Sequence, residues 1–388
     1  MYPPQSRKLI VAALLILAST ATPVRGSSQF EYTDDRRWRW SSGEGTLVTA
    51  WLRTQFRAFD EQRPSHYDQF DDPDQGDAEL RRGRFKLNIQ TQDGLKIAHE
   101  YDWNNDLLYD LQLAVPAGAN GEWLLGQWKP EFSYERKVSS GKQTMAERSI
   151  VNYWMQIDRQ TGLAWHGKSS QTQWPVELWA AVLSGTGPRA DYDGSKPMGL
   201  VRLQWNNAGG GVGFSSSDIT PQTTARSQIG ISLLTNTSAY TRYSSSGGSQ
   251  LPGFTEGSRD RYQLRQVTQD WRWSKNGLAL QQELHWKRIE DKTTGSNNDI
   301  YGAYIQLGYI PPSLRFGRAG QIELATRLAW VDIDYSDTHQ GEAALALNWF
   351  LTGHRNKFTL EVNRQYANQT DAVTRSDTQV VLQWDVCF

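Results

Sequence analysis

Cysteine is almost absent from this 388-residue chain, since Cys387 is the only one. A single cysteine excludes an intramolecular disulfide framework and any metal site built from several thiolates. The glycine-rich stretch 209–213 lacks the Lys-Ser/Thr pair of a phosphate-binding loop. The six histidines show no pair spaced like metal ligands on one face of an element; they are His66, His99, His166, His285, His339 and His354. The sequence therefore predicts no metal and no cofactor.

Long hydrophobic runs are also missing beyond the amino terminus. There, Arg7 and Lys8 precede an apolar stretch at 9–18 and then small residues. This run is too short for a transmembrane helix and has the order of a secretory signal peptide. Cleavage would follow Ala21 or Gly26, and the pattern leaves both sites open.

The chain has little net charge. Removal of residues 1–21 leaves 39 basic and 42 acidic residues, a net charge of −3. This balance gives no general affinity for polyanions and predicts no nucleic-acid partner. Any preference for anions must come from where the positive charges lie.

What the chain does have is apolar residues at every second position. The last nine residues show it well, with Val380, Leu382, Trp384, Val386 and Phe388 on one face. Such alternation is typical of a β-strand between two different surroundings. A final strand that ends on an aromatic residue resembles the closing strand of bacterial outer-membrane barrels. Sixteen such strands are predicted, at about 46–57, 80–90, 94–103, 106–115, 122–130, 160–168, 173–183, 197–206, 228–238, 260–273, 277–288, 300–310, 320–333, 342–351, 356–366 and 377–388.

The predicted connections alternate between short and long, which is the arrangement of an outer-membrane barrel. Long loops are expected at 58–79, 131–159, 184–196, 239–259, 289–299, 334–341 and 367–376. Two places do not fit: the link near Asn104 is short, and the link at 207–227 is long. Tandem soluble β-sandwiches remain an alternative, although no composition break marks a domain boundary.

The strand at 80–90 indicates which face meets lipid. Phe85, Leu87 and Ile89 alternate with cations, each of which would cost about 2–4 kcal/mol at the middle of a lipid face. The predicted inward cations are Arg82, Arg84 and Lys86, with Arg53, Arg57, Arg202 and Arg327 as weaker wall candidates. Such a wall either keeps a channel hydrated or attracts anions to several weak sites.

From about residue 80 to its end, the sequence resembles the phosphate-selective porin O and P family. The matching blocks are 81–84, 126–132, 146–149, 162–167, 320–328 and 347–351. The resemblance implies an all-β fold, a sixteen-stranded antiparallel transmembrane β-barrel of the bacterial outer membrane, and a homotrimer. The predicted domains are a signal peptide at 1–21 (or 1–26), a periplasmic segment at 22–44 and the barrel at 45–388.

The resemblance also implies a third loop, at 131–159, that folds into the barrel and forms a constriction. Its apolar stretch at 150–155 suits packing against the inner wall. The cations expected at or near the constriction are Lys129, Arg136, Lys142 and Arg148, of which Lys129 is the leading candidate for anion contact. For Glu147 and Arg148, an ion pair that holds the loop and a contact with the passing ion are both open.

We therefore expect a passive outer-membrane channel for small hydrophilic solutes, with a preference for anions such as phosphate and with lipid and lipopolysaccharide as surroundings. A general porin and a non-conducting structural or adhesive barrel are the alternatives. An outer-membrane enzyme is a weaker rival, because His99 has no serine partner in the pattern. The acidic cluster in the first loop, Asp68 to Glu79, departs from the spacing of a calcium loop and is interpreted as a solvated surface.

Overall fold

The computed structural model describes residues 28–34, 36–61, 75–169, 175–188, 196–207, 212–369 and 375–388. The predicted signal peptide and most of the first-loop acidic cluster lie outside the described residues. Within the described ranges, no helix is both long and apolar enough to cross a membrane.

Nearly all regular structure is β. The strands are β1 (Gln29–Tyr32), β2 (Trp38–Ser41), β3 (Leu47–Glu61), β4 (Gln75–Gln90), β5 (Lys96–Asp102), β6 (Leu107–Pro116), β7 (Gly121–Trp128), β8 (Gln160–Ser169), β9 (Val176–Leu183), β10 (Lys196–Asn206), β11 (Arg226–Ser238), β12 (Arg242–Ser244), β13 (Gly247–Ser249), β14 (Tyr262–Lys275), β15 (Leu278–Asp291), β16 (Ser296–Tyr309), β17 (Gln321–Ile333), β18 (Thr338–Phe350), β19 (Asn356–Gln369) and β20 (Arg375–Cys387). Two short helices, α1 (Tyr134–Lys137) and α2 (Ile150–Met155), lie between β7 and β8.

Sixteen of these strands, β3–β11 and β14–β20, form one closed antiparallel barrel. Each pairs with its neighbours in the chain, and β20 closes the barrel on β3 with Trp384 opposite Phe56. The carboxyl-terminal Phe388 extends this seam, because its N–H donates to the carbonyl of Leu52 at 2.9 Å. Each of the sixteen predicted strands is present, so the predicted fold is confirmed.

The amino-terminal residues continue the same sheet. The strands β1 and β2 form a hairpin, and β2 pairs with β3 with Trp38 opposite Ala50. The pairing of β2 with β3 begins at Ala50, close to Arg53, where the pairing of β20 with β3 ends. The described part of the predicted 22–44 segment is therefore attached to the barrel wall.

The two faces of the wall follow the predicted alternation. On β17, the side chain of Leu328 is 58% exposed on the outside while Arg327 is 1% exposed on the inside. Large aromatic side chains such as Trp330 and Trp349 lie exposed near the strand ends. An apolar outer surface with aromatic residues at both ends and a polar interior is typical of barrels that cross the outer membrane.

Two predicted long loops are wrong. Residues 292–295 and 334–337 are tight turns, and the flanking strands extend into the polar residues of the predicted loops. The first turn is closed by Asp291, whose carbonyl accepts from Gly295 at 2.7 Å and whose carboxylate accepts from Thr293 at 2.8 Å. Polar residues are tolerated in these strands where they project beyond the apolar band. The short link at 103–106 and the long link between β10 and β11 are as predicted.

Candidate functional site

The third loop, residues 129–159, folds into the barrel lumen. Its helix α2 buries Val151, Trp154 and Met155 against β16 and β17. A glycine at position 302 makes this packing possible, since a Cβ atom there would lie 2.9 Å from Val151 Cγ1. The apolar stretch of the loop therefore packs on the inner wall, as predicted.

Polar side chains of β15 and β17–β19 hold the loop backbone. Arg327 donates to the carbonyl of Glu147 at 2.9 Å, and the carboxylate of Glu342 accepts from the N–H of Ile150 at 2.7 Å. The further contacts are Glu361 with Ala146 N–H (2.6 Å), Glu283 with Glu135 N–H (2.6 Å), Asn348 with the Thr144 carbonyl (2.7 Å) and Lys357 with the Gln143 carbonyl (2.7 Å). The loop is thus held against this side of the barrel.

The long connection between β10 and β11 contacts the loop from another direction. The ring of Phe214 stacks on Tyr134 of α1 at 5.8 Å, and the N–H of Ser216 donates to the carbonyl of Lys142 at 3.1 Å. The hydroxyl of Ser217 donates to Glu323 on the wall at 3.0 Å. This segment therefore occupies part of the lumen beside the loop.

A cavity of about 600 Å³ lies between the loop and the wall formed by β3, β4 and β6. Two carboxylates, Glu79 and Glu147, line it. Nine cations line it as well: Arg57, Arg81, Arg82, Arg84, Lys129, Arg136, Arg148, Arg159 and Arg242. Cations therefore outnumber carboxylates in the lining of the cavity, although the chain as a whole has little net charge.

A β-bulge supplies two of these cations. Gln55 pairs with Arg82 and the next residue, Phe56, pairs with Leu80, so Arg81 is an extra residue in β4. Because a bulge interrupts strict alternation, consecutive arginines can approach the same lumen group. Arg81 and Arg82 both lie within 4 Å of the carboxylate of Glu147, at 3.3 and 3.6 Å.

Several cavity cations have carboxylate partners in the wall or loop. Arg84 contacts Glu100 at 2.7 Å and Asp102 at 2.9 Å. Arg159 contacts Asp110 at 2.7 Å, and Arg136 pairs with Asp158. These pairs reduce the charge that each guanidinium offers to a solute, but they fix its position.

Three cations have no carboxylate within 4 Å among the described residues. They are Lys129, Arg148 and Arg242. Arg148 donates to the carbonyls of Glu135 and Val138 at 3.1 and 2.9 Å. The ion pair between the loop and the barrel wall is formed by Glu147, whose carboxylate lies 2.7 Å from Arg57.

The amine of Lys129 lies buried among several other cations. Burial lowers the pKa of Lys129 well below its usual value, and the charges of Arg148, Arg159 and Arg136 lower it further, while Asp158 opposes them. Nearby positive charges disfavour the protonated form of a lysine, whereas an anion that enters the cavity favours it. An incoming anion would therefore stabilise the positive charge on Lys129.

The structure brings Arg57, Arg82, Arg84, Lys129, Arg136 and Arg148 of the predicted set to the cavity. It does not bring the other predicted residues there. Arg53 pairs with Asp385 at 2.5 Å, Arg202 with Asp270 at 2.6 Å, Arg327 with Glu342 and Lys86 with Glu100. Lys142 lies on another side of the loop, where the charges of Arg37, Arg355 and Lys86 act on it.

Sequence reasoning missed Arg81, Arg159, Arg242 and Tyr109. The guanidiniums of Arg84 and Arg159 lie 4.4 and 4.1 Å from the ring centre of Tyr109. Strict alternation places Arg81 outside, and the bulge that turns it inward has no simple sequence signal. Arg242 comes from β12 in a distant loop, so only the folded chain shows that it joins the cavity.

Comparison with known proteins agrees with this architecture. The phosphate-selective porin O and P family matches residues 54–384. No curated protein sequence matches the chain.

Solved structures of outer-membrane proteins have a similar fold. The chain is 11% identical to an anion-selective porin from Comamonas acidovorans, with a TM-score of 0.56 over 88% of this chain and 100% of that one. It is 12% identical to the outer membrane channel DcaP of Acinetobacter baumannii (TM-score 0.56, 90% and 99%). It is 8% identical to in-vitro folded OmpT of Vibrio cholerae in its trimer form (TM-score 0.52, 88% and 99%). Taken with the closed sixteen-stranded barrel and its inward loop, the family match shows that this chain belongs to the phosphate-selective porin O and P family and forms a channel in the bacterial outer membrane.

Proposed function

We propose that this channel prefers anions and conducts small ones such as phosphate. The observation that carries the proposal is the cavity in which nine cations face two carboxylates. A low-dielectric wall with charges of one sign raises the local concentration of the opposite ion. The matched family name and the anion-selective porin of similar fold are consistent with this preference.

The cations suit weak, multiple contacts. Lys129, Arg148 and Arg242 would attract the anion first, because they lack carboxylate partners in the described part of the chain. Paired guanidiniums such as Arg84 and Arg136 would add hydrogen-bond donors without holding the ion tightly. Farther along β4 and the loop, Lys86 and Lys142 would continue the path. Conduction needs contacts that favour entry but still release the ion, and it needs no covalent chemistry.

Phosphate is the proposed solute because guanidiniums recognise tetrahedral oxyanions with paired hydrogen bonds. Several arginines of the cavity face the same space, and binding a single chloride ion would not require so many hydrogen-bond donors. The family match supports the same solute class.

We also propose that the mature protein begins after residue 21 or residue 26 and assembles as a homotrimer surrounded by lipid and lipopolysaccharide. Strands β5–β9 are 7 to 10 residues long, whereas β14–β20 are 13 or 14. The outer side of the short strands β5–β9 exposes Leu125, Leu163 and Val182. We propose this short, apolar side as the contact between protomers. The OmpT structure of similar fold is a trimer form, which is consistent with a trimeric assembly.

Recordings from the purified protein in planar bilayers test the proposed function. The reversal potential in a KCl gradient gives the selectivity, and added phosphate should reduce the chloride current. Cation-selective or unselective current without block would leave a general porin. No conductance would favour the structural barrel.

A further inference from the structure

We propose that Glu147 is a tethered competing anion, whose carboxylate occupies the place where Arg57, Arg81 and Arg82 would otherwise bind a permeating anion. By holding these arginines, Glu147 weakens anion binding in the cavity and lets the ion leave. The inference rests on the proposed anion preference and assigns to Glu147 the role of setting how strongly the cavity binds anions.

The contacts of Glu147 carry the proposal. One carboxylate oxygen, Oε1, lies 2.7 Å from Arg57, 3.3 Å from Arg81 and 3.6 Å from Arg82. All four residues line the cavity, and the side chain of Glu147 is 30% exposed. Three guanidiniums around one oxygen form the kind of site that binds an anionic oxygen, and here the protein itself supplies that oxygen.

The backbone holds this carboxylate in place. The N–H of Ala146 donates to Glu361 at 2.6 Å, and Arg327 donates to the carbonyl of Glu147 at 2.9 Å. These contacts come from β17 and β19, and the side chain reaches arginines on β3 and β4, which follow β19 and β20 around the barrel. Residue 147 therefore lies against this part of the wall and lines the cavity, and an anion that passes there meets its carboxylate.

The charge of Glu147 is permanent under ordinary conditions. Burial opposes ionisation, but Arg57, Arg82 and Arg81 bring the pKa of Glu147 well below its usual value. The three guanidiniums and the carboxylate leave a local charge of about +2, so the site still attracts anions. A mobile anion must compete with the fixed one, which favours fast exchange over tight binding.

The variant Glu147→Gln tests the proposal because it removes the charge and keeps the side-chain shape. The phosphate concentration that halves the chloride current should fall at least about tenfold, since one unit charge removed beside three cations is worth more than 1.4 kcal/mol. The reversal potential should move further in the anion-selective direction. Heat-dependent electrophoretic mobility would first show that the variant still forms the barrel.

Glu290→Gln is the matched control. Glu290 does not line the cavity, its carboxylate lies 3.8 Å from Arg265, and the two side chains are 35% and 56% exposed. Its removal changes the net charge equally and should alter the half-blocking concentration by no more than about twofold, because exposed pairs contribute little.

Two results would overturn the proposal. One is a Glu147→Gln channel that behaves like Glu290→Gln. The other is a channel with higher conductance and weaker block, which would make Glu147 only an anchor of the loop. If Glu147→Gln does not fold, Glu147→Asp withdraws the carboxylate by one methylene and should tighten the block in the same direction; an unchanged block would overturn the proposal. A wild-type channel without anion preference would overturn the proposed function instead, and the shift between variants would still be measurable.

Discussion

The guanidinium of Arg57 and the carboxylate of Glu147 lie 2.7 Å apart and join the barrel wall to the loop inside the lumen. Arg57 belongs to β3, whereas the backbone of Glu147 is held from β17 by Arg327. The open cavity beside this contact is therefore bounded by the barrel wall and by the third loop. The charges that face it differ in how well they are paired, and this difference leads to separate expectations for individual residues.

Replacement of Lys129 should have a larger effect than replacement of an ordinary surface lysine. Lys129→Gln should raise the half-blocking phosphate concentration about tenfold at pH 6, because a cation without a carboxylate partner is removed from the cavity. Lys168→Gln is the control. Lys168 lies near the carboxyl end of β8, where its side chain is 59% exposed and its amine is 3.4 Å from the carboxylate of Glu177. Equal effects of the two variants in bilayer recordings would argue against a specific role for Lys129.

Anion preference should depend on pH through Lys129. Burial and the charges of Arg148, Arg159 and Arg136 lower its pKa well below 10.5. An amine is charged below its pKa and neutral above it, so the preference should be greatest at acidic pH and fall as the pH rises through this lowered value. Lys129→Arg should remove the dependence, because a guanidinium stays protonated. Reversal potentials measured between pH 5 and about 10 would show a flat wild-type profile if Lys129 does not titrate in this range.

Anion preference should weaken as salt increases. The Debye length shortens from about 10 Å at 0.1 M to about 3 Å at 1 M ionic strength, so cations that steer ions from a distance lose their reach. The ratio of chloride to potassium permeability, measured at constant gradient and increasing total KCl, should decline over this range. A constant ratio would indicate that selectivity comes from tight local contacts and not from steering.

Loss of Arg327 should release the third loop. Its guanidinium pairs with Glu342 and donates to the Glu147 carbonyl, and it is 1% exposed. Removing one partner of a buried ion pair costs about 3–5 kcal/mol, so Arg327→Met should show larger and noisier conductance and should unfold at a lower temperature. Leu328→Met, on the outer face of the same strand, is the control. Wild-type conductance and thermal stability in Arg327→Met would contradict this role.

Local alternation predicted the wall accurately but the loops less well. The outward Leu382 and the inward Gln383 follow directly from the period of a strand, because neighbouring side chains point to opposite faces. The loops predicted at 289–299 and 334–341 were wrong because polar residues continue as strands beyond the apolar band. The inward position of Arg81 was missed because the bulge beside Gln55 breaks the alternation on which the prediction depends.

The sequence by itself determined the family, the sixteen strands and the inward or outward side of most wall residues, since these depend on local period and on ordered motifs. Only the tertiary structure decided which inward cations meet the cavity. Arg82 and Arg327 have the same inward orientation, yet Arg82 lines the cavity and Arg327 lies paired beneath the third loop. Alternation specifies the face of the sheet, whereas the position around the barrel and the cover provided by the loop depend on contacts between residues far apart in the chain.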